Sequence, residues 1–413
     1  MAYDTGSIAW MLTSAALVMV MTPAVGFFYG GMLKKNSMLS MLGQSLICLG
    51  IVTIIWVVAG FSLAFSPGSN LIGGLDFAMM NGIGVWSDPP ALAWFPTSIP
   101  PLLFMIYQCM FAIITVALII GGIAERMKLA AVTVFLAIWA IVIYSPVAHW
   151  VWGGGWISQM GALDFAGGTV VHITAGATVL AATLVIGKRL SKQHNVEEQA
   201  HNIPFVVLGG ALLWMGWFGF NAGSALGSNE LAVSAFVVTQ IAAATAGVVW
   251  GLVSYLHLGR TSVLGMITGG VVGLVAITPA SGFVDVSGAL AIGIVAPIIS
   301  YAAIQFRKKA GFDDALDVWA CHGVGGTVGA IATGFLATSA VNPAVVNNGL
   351  LYGGGFDLLV KQVIAVCGVW AFVFVVVFVL MKVLTMVWPN WRMTKEEERI
   401  GVDIVQHGEN AYA

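Results

Sequence analysis

Residues 99–123 read IPPLLFMIYQCMFAIITVALIIGGI, an apolar run that contains no charged side chain. A continuous apolar run of about 18 or more residues is typical of a helix that spans a membrane. The whole chain shares this character, because 59% of its 413 residues are hydrophobic and only 8% are charged. Soluble proteins are about 25% charged, so this composition cannot cover a water-facing surface and the soluble classes are excluded.

Eleven apolar segments of this kind follow one another along the chain. They are continuous rather than alternating, which excludes a β-barrel and leaves helices as the spanning element. The sequence therefore predicts an all-α polytopic membrane protein, with a transmembrane domain over residues 1–388 and a hydrophilic tail over 389–413. The eleven predicted transmembrane helices cover residues 8–31, 39–65, 99–123, 129–150, 168–187, 204–222, 231–256, 262–278, 286–306, 318–338 and 359–388.

The basic residues lie almost entirely on one side of these segments. Of the 16 lysines and arginines, only Lys361 lies at the opposite ends, and Lys382 lies within the last segment. Short basic loops stay in the cytoplasm, which predicts an N-terminus outside and a cytoplasmic C-terminus. The remaining basic residues, which all follow odd-numbered segments, are Lys34, Lys35, Arg126, Lys128, Lys188, Arg189, Lys192, Arg260, Arg307, Lys308, Lys309, Arg392, Lys395 and Arg399.

Two short echoes indicate that residues of about 1–190 and 200–340 form two inverted five-helix repeats, followed by a final helix at about 359–388. One echo pairs GFFYGG at 26–31 with GWFGFN at 216–221, and the other pairs HITAG at 172–176 with HGVGG at 322–326. Because five is an odd number, the second copy enters the membrane from the opposite side. Inverted repeats with a substrate path at their interface are common in transporters.

Two of the seven histidines, His172 and His322, lie well inside apolar segments at equivalent places in the two halves. An ionisable side chain inside a membrane is costly and commonly marks a transport path or a proton relay. If the repeat brings the two together, an Nδ1–Nε2 hydrogen-bonded pair would offer both a donor and an acceptor to a passing molecule. The alternative is that each is a core histidine bonded to a neighbouring helix.

The sequence predicts no metal and no other cofactor. Zinc takes at least three protein ligands, and no further His or Cys accompanies the two histidines at a suitable spacing. All four cysteines (Cys48, Cys109, Cys321 and Cys367) lie in apolar runs and are expected to be buried free thiols. The net charge of −2 gives no indication of nucleic-acid binding.

Asp164 opens the fifth segment, within GALDFAGG at 161–168. Aspartate is a good helix N-cap, which is a structural role. A buried carboxylate would also favour a cation in the outer mouth of a pore. The two roles are compatible, and both stay open.

Several longer motifs occur in order along nearly the whole chain, and together they resemble the ammonium transporter (Amt/Mep/Rh) family, in particular its prokaryotic Amt-type branch. The motifs are MTP at 21–23, FFYGG at 27–31, FAIIT at 111–115, AER at 124–126, VWGGG at 151–155, DFAGGTVVH at 164–172, GWFGFNAGS at 216–224, DVWACHGVGG at 317–326 and GVDI at 401–404.

The resemblance implies a homotrimer of eleven-helix subunits, each with its own pore. It implies an outer cation site at Trp152, Ser224 and Tyr107, where this chain adds a hydroxyl at a position that is commonly Phe in the family. The residues 22–24 read Thr-Pro-Ala where the family usually has Thr-Pro-Gly, which implies only local repacking of the first helix.

Deeper in the pore, the resemblance implies a gate of two phenyl rings, Phe111 and Phe220, and twin histidines at His172 and His322. It also implies a PII-type regulatory protein that docks at the cytoplasmic face. The tail residues EEERIGVD at 396–403 resemble the core of the family's tail. The alternative for the tail is a solvated segment that packs on its own or a neighbouring subunit.

Ammonium chemistry agrees with these implied positions. Ammonium is a small cation with four N–H donors, which aromatic faces attract and a serine oxygen can accept. Farther in, apolar surroundings disfavour the charged form of an amine. Ammonium can lose a proton there, whereas potassium and sodium cannot, so the selectivity would come from chemistry. If the proton follows along the two histidines, transport moves net charge.

Three alternatives compete with ammonium transport. An ammonium sensor with little flux is one, although the tail is too short for an output domain. A gas channel of the Rh type for ammonia or carbon dioxide is another, but the stretch 216–224 and Trp152 favour the Amt-type branch. An enzyme is not expected, because no nucleophile–base set occurs. The absence of an Asn-X-Ser/Thr sequon favours the plasma (inner) membrane of a prokaryote, crossed several times.

Overall fold

A computed structural model of the chain describes residues 3–194 and 199–412, and in these ranges the regular structure is helical, with no β-strand. Nine helices in these ranges are long and apolar enough to cross a membrane. The all-α, membrane-spanning character predicted from the sequence is confirmed. The nine are α1 (Thr5–Met32), α2 (Lys35–Phe65), α3 (Pro101–Ile123), α4 (Leu129–Met160), α5 (Gly168–Ile186), α6 (Ile203–Ala225), α7 (Glu230–Leu258), α9 (Val286–Ala310) and α11 (Asp357–Val387).

Two further helices occupy the remaining predicted segments but are shorter. The helix α8 (Val263–Ile277) has only 15 residues. The helix α10 begins as a π-helical turn at Trp319–Val324 and continues as an α-helix at Gly325–Leu336. Every one of the eleven predicted segments therefore contains a helix, although α8 and α10 are not among the nine that are long and apolar enough to cross a membrane.

Side-chain caps fix where several of these helices begin. Asp4 accepts a hydrogen bond from the backbone N–H of Ser7 at the start of α1. Asn202, Asn229 and Asp285 do the same for α6, α7 and α9. Such caps satisfy backbone donors that a helix leaves free in its first turn.

The helix α3 lies at the centre of the bundle and is buried along almost its whole length. It can be buried on every side because it is apolar on every side. Around it, α1 packs lengthwise on α6, and α5 contacts both α10 and α11. The first helices of the two sequence halves thus lie together, and so do their fifth helices.

The outer surface of α11 is largely exposed. Cys367, on this helix, is exposed as well, so the expectation that all four cysteines are buried is wrong for this one. The side of α11 that carries Cys367 has no protein neighbour within one chain, so the thiol is exposed. A free thiol behaves as a small hydrophobic group and is compatible with an apolar environment.

The tail folds back onto the ends of the long helices and contains two short helices, α12 (Lys395–Ile400) and α13 (Val402–His407). The carboxylate of Asp403 accepts hydrogen bonds from the backbone N–H groups of Leu39 and Ser40, at 3.0 and 2.7 Å. Lys128 and Glu397 form an ion pair at 3.2 Å. The tail is therefore packed on its own chain, as one of the two alternatives from the sequence expected.

Candidate functional site

The two histidines of the apolar segments meet inside the bundle. The Nδ1 atoms of His172 and His322 lie 3.2 Å apart, and the ring centroids are 5.2 Å apart. The contact joins the two Nδ1 atoms, so the Nδ1–Nε2 pairing considered from the sequence is wrong. When one neutral imidazole donates from Nδ1 to the other, its own Nε2 becomes an acceptor and the partner's Nε2 a donor. The pair can still offer one donor and one acceptor.

Each histidine lies on a π-helical turn, His172 within Gly168–Ile173 and His322 within Trp319–Val324. A π turn inserts an extra residue into a helix and is frequently found at functional sites. Each turn changes the direction in which the nearby side chains leave the helix. The two histidines, which lie on different helices, are thereby in contact. Helical periodicity in the sequence gives no sign of such turns.

Glycines allow the two histidine segments to approach each other. A methyl group at Gly176 would collide with the backbone of Gly323, next to His322. A methyl group at Gly326 would lie 2.9 Å from the carbonyl oxygen of Gly168 and 3.0 Å from Cβ of His172. The glycine four residues after each histidine thus faces the histidine segment of the other half. The sequence echo contained these glycines, but it did not indicate their role.

The histidines border a narrow cavity with a free volume of about 10 Å³, which is room for about one water-sized molecule. Its walls are almost wholly apolar, and Trp217 stacks on His172 with ring centroids 5.4 Å apart. The Nε2 atom of His172 is buried without a hydrogen-bond partner among the described residues. The residues that line this cavity are Met21, Val25, Phe28, Tyr29, Ile114, Leu118, His172, Leu213, Trp217, Phe220, Val271 and His322.

Two stacked phenyl rings lie beside the histidines. The ring centroids of Phe111 and Phe220 are 4.1 Å apart at an interplanar angle of 23°, and both side chains are fully buried. Phe220 also lies 6.0 Å from the ring of His172. The pair predicted as a gate is therefore in contact and adjoins the histidine cavity.

On the other side of the phenyl pair are the three residues of the expected outer site. Trp152 is 6.0 Å from the ring of Phe111, and Tyr107 is 4.9 Å from it. The hydroxyl of Tyr107 lies 3.3 Å from Oγ of Ser224. Trp152 and Tyr107 thus both contact Phe111, and Ser224 lies beside Tyr107. A continuous series of ring contacts joins Trp152, Phe111, Phe220, His172 and His322.

The carboxylate of Asp164 is fully used in hydrogen bonds to the start of α5. Oδ1 accepts from the N–H groups of Gly167 and Gly168 at 2.9 and 2.8 Å, and Oδ2 accepts from Thr169 and Val170 at 2.8 and 3.2 Å. The N-cap residue of the π turn that carries His172 is Gly167, so the sequence placed the N-cap three positions too early, but the Asp164 side chain does cap the turn.

The backbone of Asp164 serves the outer site in a second way. Its carbonyl oxygen accepts a hydrogen bond of 2.9 Å from Nε1 of Trp152. One residue therefore connects the indole of the outer site to the turn of the inner histidine. The negative charge of Asp164 lies near both, but its oxygens are occupied by backbone donors.

A wider cavity of about 260 Å³ opens on the other side of His322. Asp317 lies in its wall and is paired with Arg307 at 2.6 Å. Burial raises the pKa of Asp317, and burial together with the charge of Asp317 raises the pKa of the neighbouring Asp314 to about 6. Sequence reasoning did not select Asp317, although it begins the motif that contains His322.

Three of the connections between helices meet at a buried charge cluster. Arg189 contacts Asp313 at 2.9 Å and Glu125 at 3.1 Å. Burial alone would raise the pKa of Asp313, but hydrogen bonds and charge from Arg189, with the charge of Arg126, hold it below its usual range. Arg126 also donates to the carbonyl oxygen of Gly187 at 2.9 Å. The cluster ties together the three connections that follow α3, α5 and α9.

With this geometry established, comparison with known proteins identifies the family. The model of the Ammonium Transporter Family matches residues 9–412. The chain belongs to the ammonium transporter family. An ammonium transporter of Bacillus subtilis (strain 168) is 45% identical over 408 residues, which is 98% of each chain.

Solved structures of the family share the fold. The crystal structure of Candida albicans Mep2 superposes with a TM-score of 0.88 at 35% identity, covering 99% of this chain and 91% of that one. A structure entitled Sensor Amt Protein has a TM-score of 0.88 at 28% identity, covering 97% of this chain and 98% of that one. Membership in this family and the long apolar helices make the chain a multi-pass membrane protein.

Proposed function

We propose that this protein transports ammonium, or the ammonia derived from it, along the series of rings from Trp152 to His322. The observation that carries this proposal is the uninterrupted contact of an indole, two phenyl rings and two imidazoles through the interior of a chain of this family. The series has a mixed polar and aromatic end at Ser224 and a buried, apolar centre at the phenyl pair. Such a change of surroundings suits a cation that enters and then gives up its charge.

At the end of the series near Ser224, a hydroxyl oxygen and aromatic rings would bind the incoming ammonium. Ser224 donates to the carbonyl oxygen of Phe220 at 2.9 Å, and the hydroxyl of Tyr107 lies 2.9 Å from the carbonyl oxygens of Gly219 and Phe220. With its hydrogen directed to the backbone, the Ser224 oxygen keeps a lone pair for an N–H donor. The indole of Trp152 adds cation–π attraction, worth about 0.5–2 kcal/mol.

Passage inward requires deprotonation. The phenyl pair and the cavity behind it offer almost no polar group, and an isolated charge is very costly in such surroundings. Ammonium avoids that cost by losing a proton, which alkali cations cannot do. We assign the relay of this proton to His172 and His322, so that ammonia and the proton cross together and transport carries net charge.

The arrangement in the membrane follows the family resemblance and the basic loops. We infer eleven spans, in two inverted five-helix halves and a final helix. The N-terminus would lie outside and the C-terminus in the cytoplasm, because the basic residues follow the odd-numbered spans. We assign the chain to the plasma (inner) membrane of a prokaryote as a homotrimer with one pore per subunit. A PII-type protein docked at the cytoplasmic face, near the tail, would close the pore from the inside.

A sensing role is the second candidate, since one structure of matching fold is entitled Sensor Amt Protein. A sensor needs the outer site and a coupled conformational change, and it does not need flux. The contacts between Asp164, Trp152 and the turn of His172 would serve either role. Measured flux therefore distinguishes the two.

The test is reconstitution of the full chain in proteoliposomes on a supported membrane. An ammonium pulse should give a transient current together with an internal pH change, and a potassium pulse of equal strength should give neither. Empty liposomes are the control for passive ammonia entry. A pH change without current would indicate neutral ammonia conduction, and the absence of both signals would leave only sensing.

A further inference from the structure

The hydroxyl of Tyr107 makes contacts that a phenylalanine at this position could not make. It lies 2.9 Å from the carbonyl oxygens of both Gly219 and Phe220, and 3.3 Å from Oγ of Ser224. These carbonyls belong to the last turn of the α-helical part of α6, which ends at Asn221 and continues as a 3-10 turn. Carbonyl groups at a helix end have lost some of their intrahelical partners, and the hydroxyl supplies one.

The same side chain touches both members of the phenyl pair. The ring of Tyr107 meets the ring of Phe111 edge-on, with centroids 4.9 Å apart at 62°. Its hydroxyl holds the backbone of Phe220, the residue whose ring stacks on Phe111. Since α3 carries Tyr107 and Phe111 while α6 carries Phe220, the hydroxyl is a polar link between the two helices at the level of the gate.

The Tyr107 hydroxyl is closely packed against Gly223 and Ser14. A methyl group at Gly223 would lie 2.6 Å from the Tyr107 oxygen and 2.9 Å from Oγ of Ser14. Tyr107 itself is fully buried, so water cannot replace the hydroxyl's contacts. Without the hydroxyl, the Gly219 and Phe220 oxygens would keep only their donors from the end of α6 itself, Ala222 N–H and Ser224 Oγ, and the polar link from α3 to α6 would be lost.

We propose that Tyr107 is a positioning residue that holds the phenyl gate closed through its hydroxyl, and thereby sets which amines pass. The inference rests on the proposed function, because it concerns the gate of that pore. With the hydroxyl in place, Phe220 keeps its stacked position against Phe111. Without it, the end of α6 moves more freely and the two rings separate more often, which favours larger substrates such as methylammonium.

The test compares Tyr107→Phe with the wild-type full chain in proteoliposomes, using ammonium and methylammonium as probes. One hydrogen bond of this kind corresponds to a change of about threefold to tenfold in the open population of the gate. We expect the ratio of maximal methylammonium flux to maximal ammonium flux to rise by about that factor. The half-saturating ammonium concentration should stay within about twofold, because the ring that faces the cation remains.

The matched control is Tyr144→Phe, which removes a buried hydroxyl that has no hydrogen-bond partner in the described residues. It should leave the flux ratio unchanged. A second variant, Gly223→Ala, keeps the tyrosine but displaces its hydroxyl, and it should raise the flux ratio in the same direction as Tyr107→Phe.

An unchanged flux ratio in both Tyr107→Phe and Gly223→Ala would overturn the proposal. So would a Tyr107→Phe variant whose only change is a weaker half-saturation, because the hydroxyl would then act on the cation rather than on the gate. A loss of thermal stability with an unchanged ratio would assign the hydroxyl a purely structural role. In each of these cases wild-type ammonium current would still support transport itself.

Discussion

The Nδ1 atoms of His172 and His322 lie 3.2 Å apart, although 150 positions of sequence separate the two residues. The contact joins the fifth and tenth helices at their π turns. Because each imidazole fixes the proton position of the other, the pair acts as one unit with a donor and an acceptor end. The proposed relay of a proton alongside ammonia depends on this unit.

Removal of either imidazole should therefore interrupt the relay. We expect His172→Ala and His322→Ala each to lower the ammonium-evoked current by about tenfold or more, or to abolish the preference for ammonium over potassium. Proteoliposome currents with both cations measure this. The variants should keep the wild-type elution volume in gel filtration. Unchanged current and unchanged preference in both variants would contradict the relay.

The close approach at Gly176 should be as important as the histidines themselves. In Gly176→Ala, the added methyl group collides with the backbone of Gly323 and pushes the His322 turn away from His172. We expect ammonium current to fall as it does in the histidine variants, together with a lower thermal unfolding temperature. Gly50→Ala is the control, because a methyl group at Gly50 meets nothing within 4 Å.

Both glycine positions are helical, so alanine by itself favours the backbone conformation at each. A Gly176→Ala protein with wild-type current would mean that the histidine contact tolerates a shift of its helices. In that case the 3.2 Å contact would not be the feature that transport requires.

Trp152→Leu should weaken ammonium capture without blocking the path. Loss of a cation–π contact of about 0.5–2 kcal/mol corresponds to an increase of about twofold to thirtyfold in the half-saturating concentration. The maximal current should change less than the half-saturation. Trp86→Leu provides the control, since Trp86 is 94% exposed in the loop between α2 and α3. A decrease confined to the maximal current would place Trp152 outside the capture step.

Asp164→Asn should destabilise the protein more than it alters any direct contact with a cation. The amide keeps one acceptor oxygen, so about half of the four backbone N–H groups now held by the carboxylate lose their partner. Hydrogen bonds to a charged group are worth about 1.5–3 kcal/mol each, and we expect a loss of at least about 2 kcal/mol. Thermal unfolding in detergent measures it, with the exposed Asp76→Asn as control. Equal unfolding temperatures for both variants would contradict the capping role.

The carboxyl of Asp314 should make stability depend on pH. Its pKa is raised to about 6 in the folded chain by burial and by Asp317, whereas an unfolded aspartate titrates near about 4. The folded state therefore binds the proton more readily, and this contribution to stability rises as pH falls from about 7 to about 4. Unfolding temperatures at several pH values should show a smaller acid-side gain in Asp314→Asn than in wild type. Parallel curves for the two proteins would contradict it.

The segments of the fold could be predicted because the relevant signals are local. A charge in an apolar run is costly wherever the neighbouring helices lie, so the long runs and the one-sided basic residues already indicate a helical membrane protein. The same cost distinguished His172 and His322, since an ionisable imidazole within an apolar segment commonly has a functional role. The aromatic residues differ in this respect. Phe111 and Phe220 were selected only through the family resemblance, because a chain with 22 phenylalanines offers no local signal that distinguishes two of them.

The sequence by itself thus determined the class of protein, the places of its helices and two of the residues along the proposed path. The tertiary structure decided which nitrogen atoms of the histidines meet, which glycines allow them to meet, and that the Tyr107 hydroxyl reaches the backbone of Phe220. It also placed Asp317 in the wall of the inner cavity. The physical reason is that the free energy of moving a side chain from water into a membrane depends on that residue alone, so it can be read along the chain. Contacts of about 3 Å between distant residues depend instead on helix packing and π turns, which no local pattern encodes.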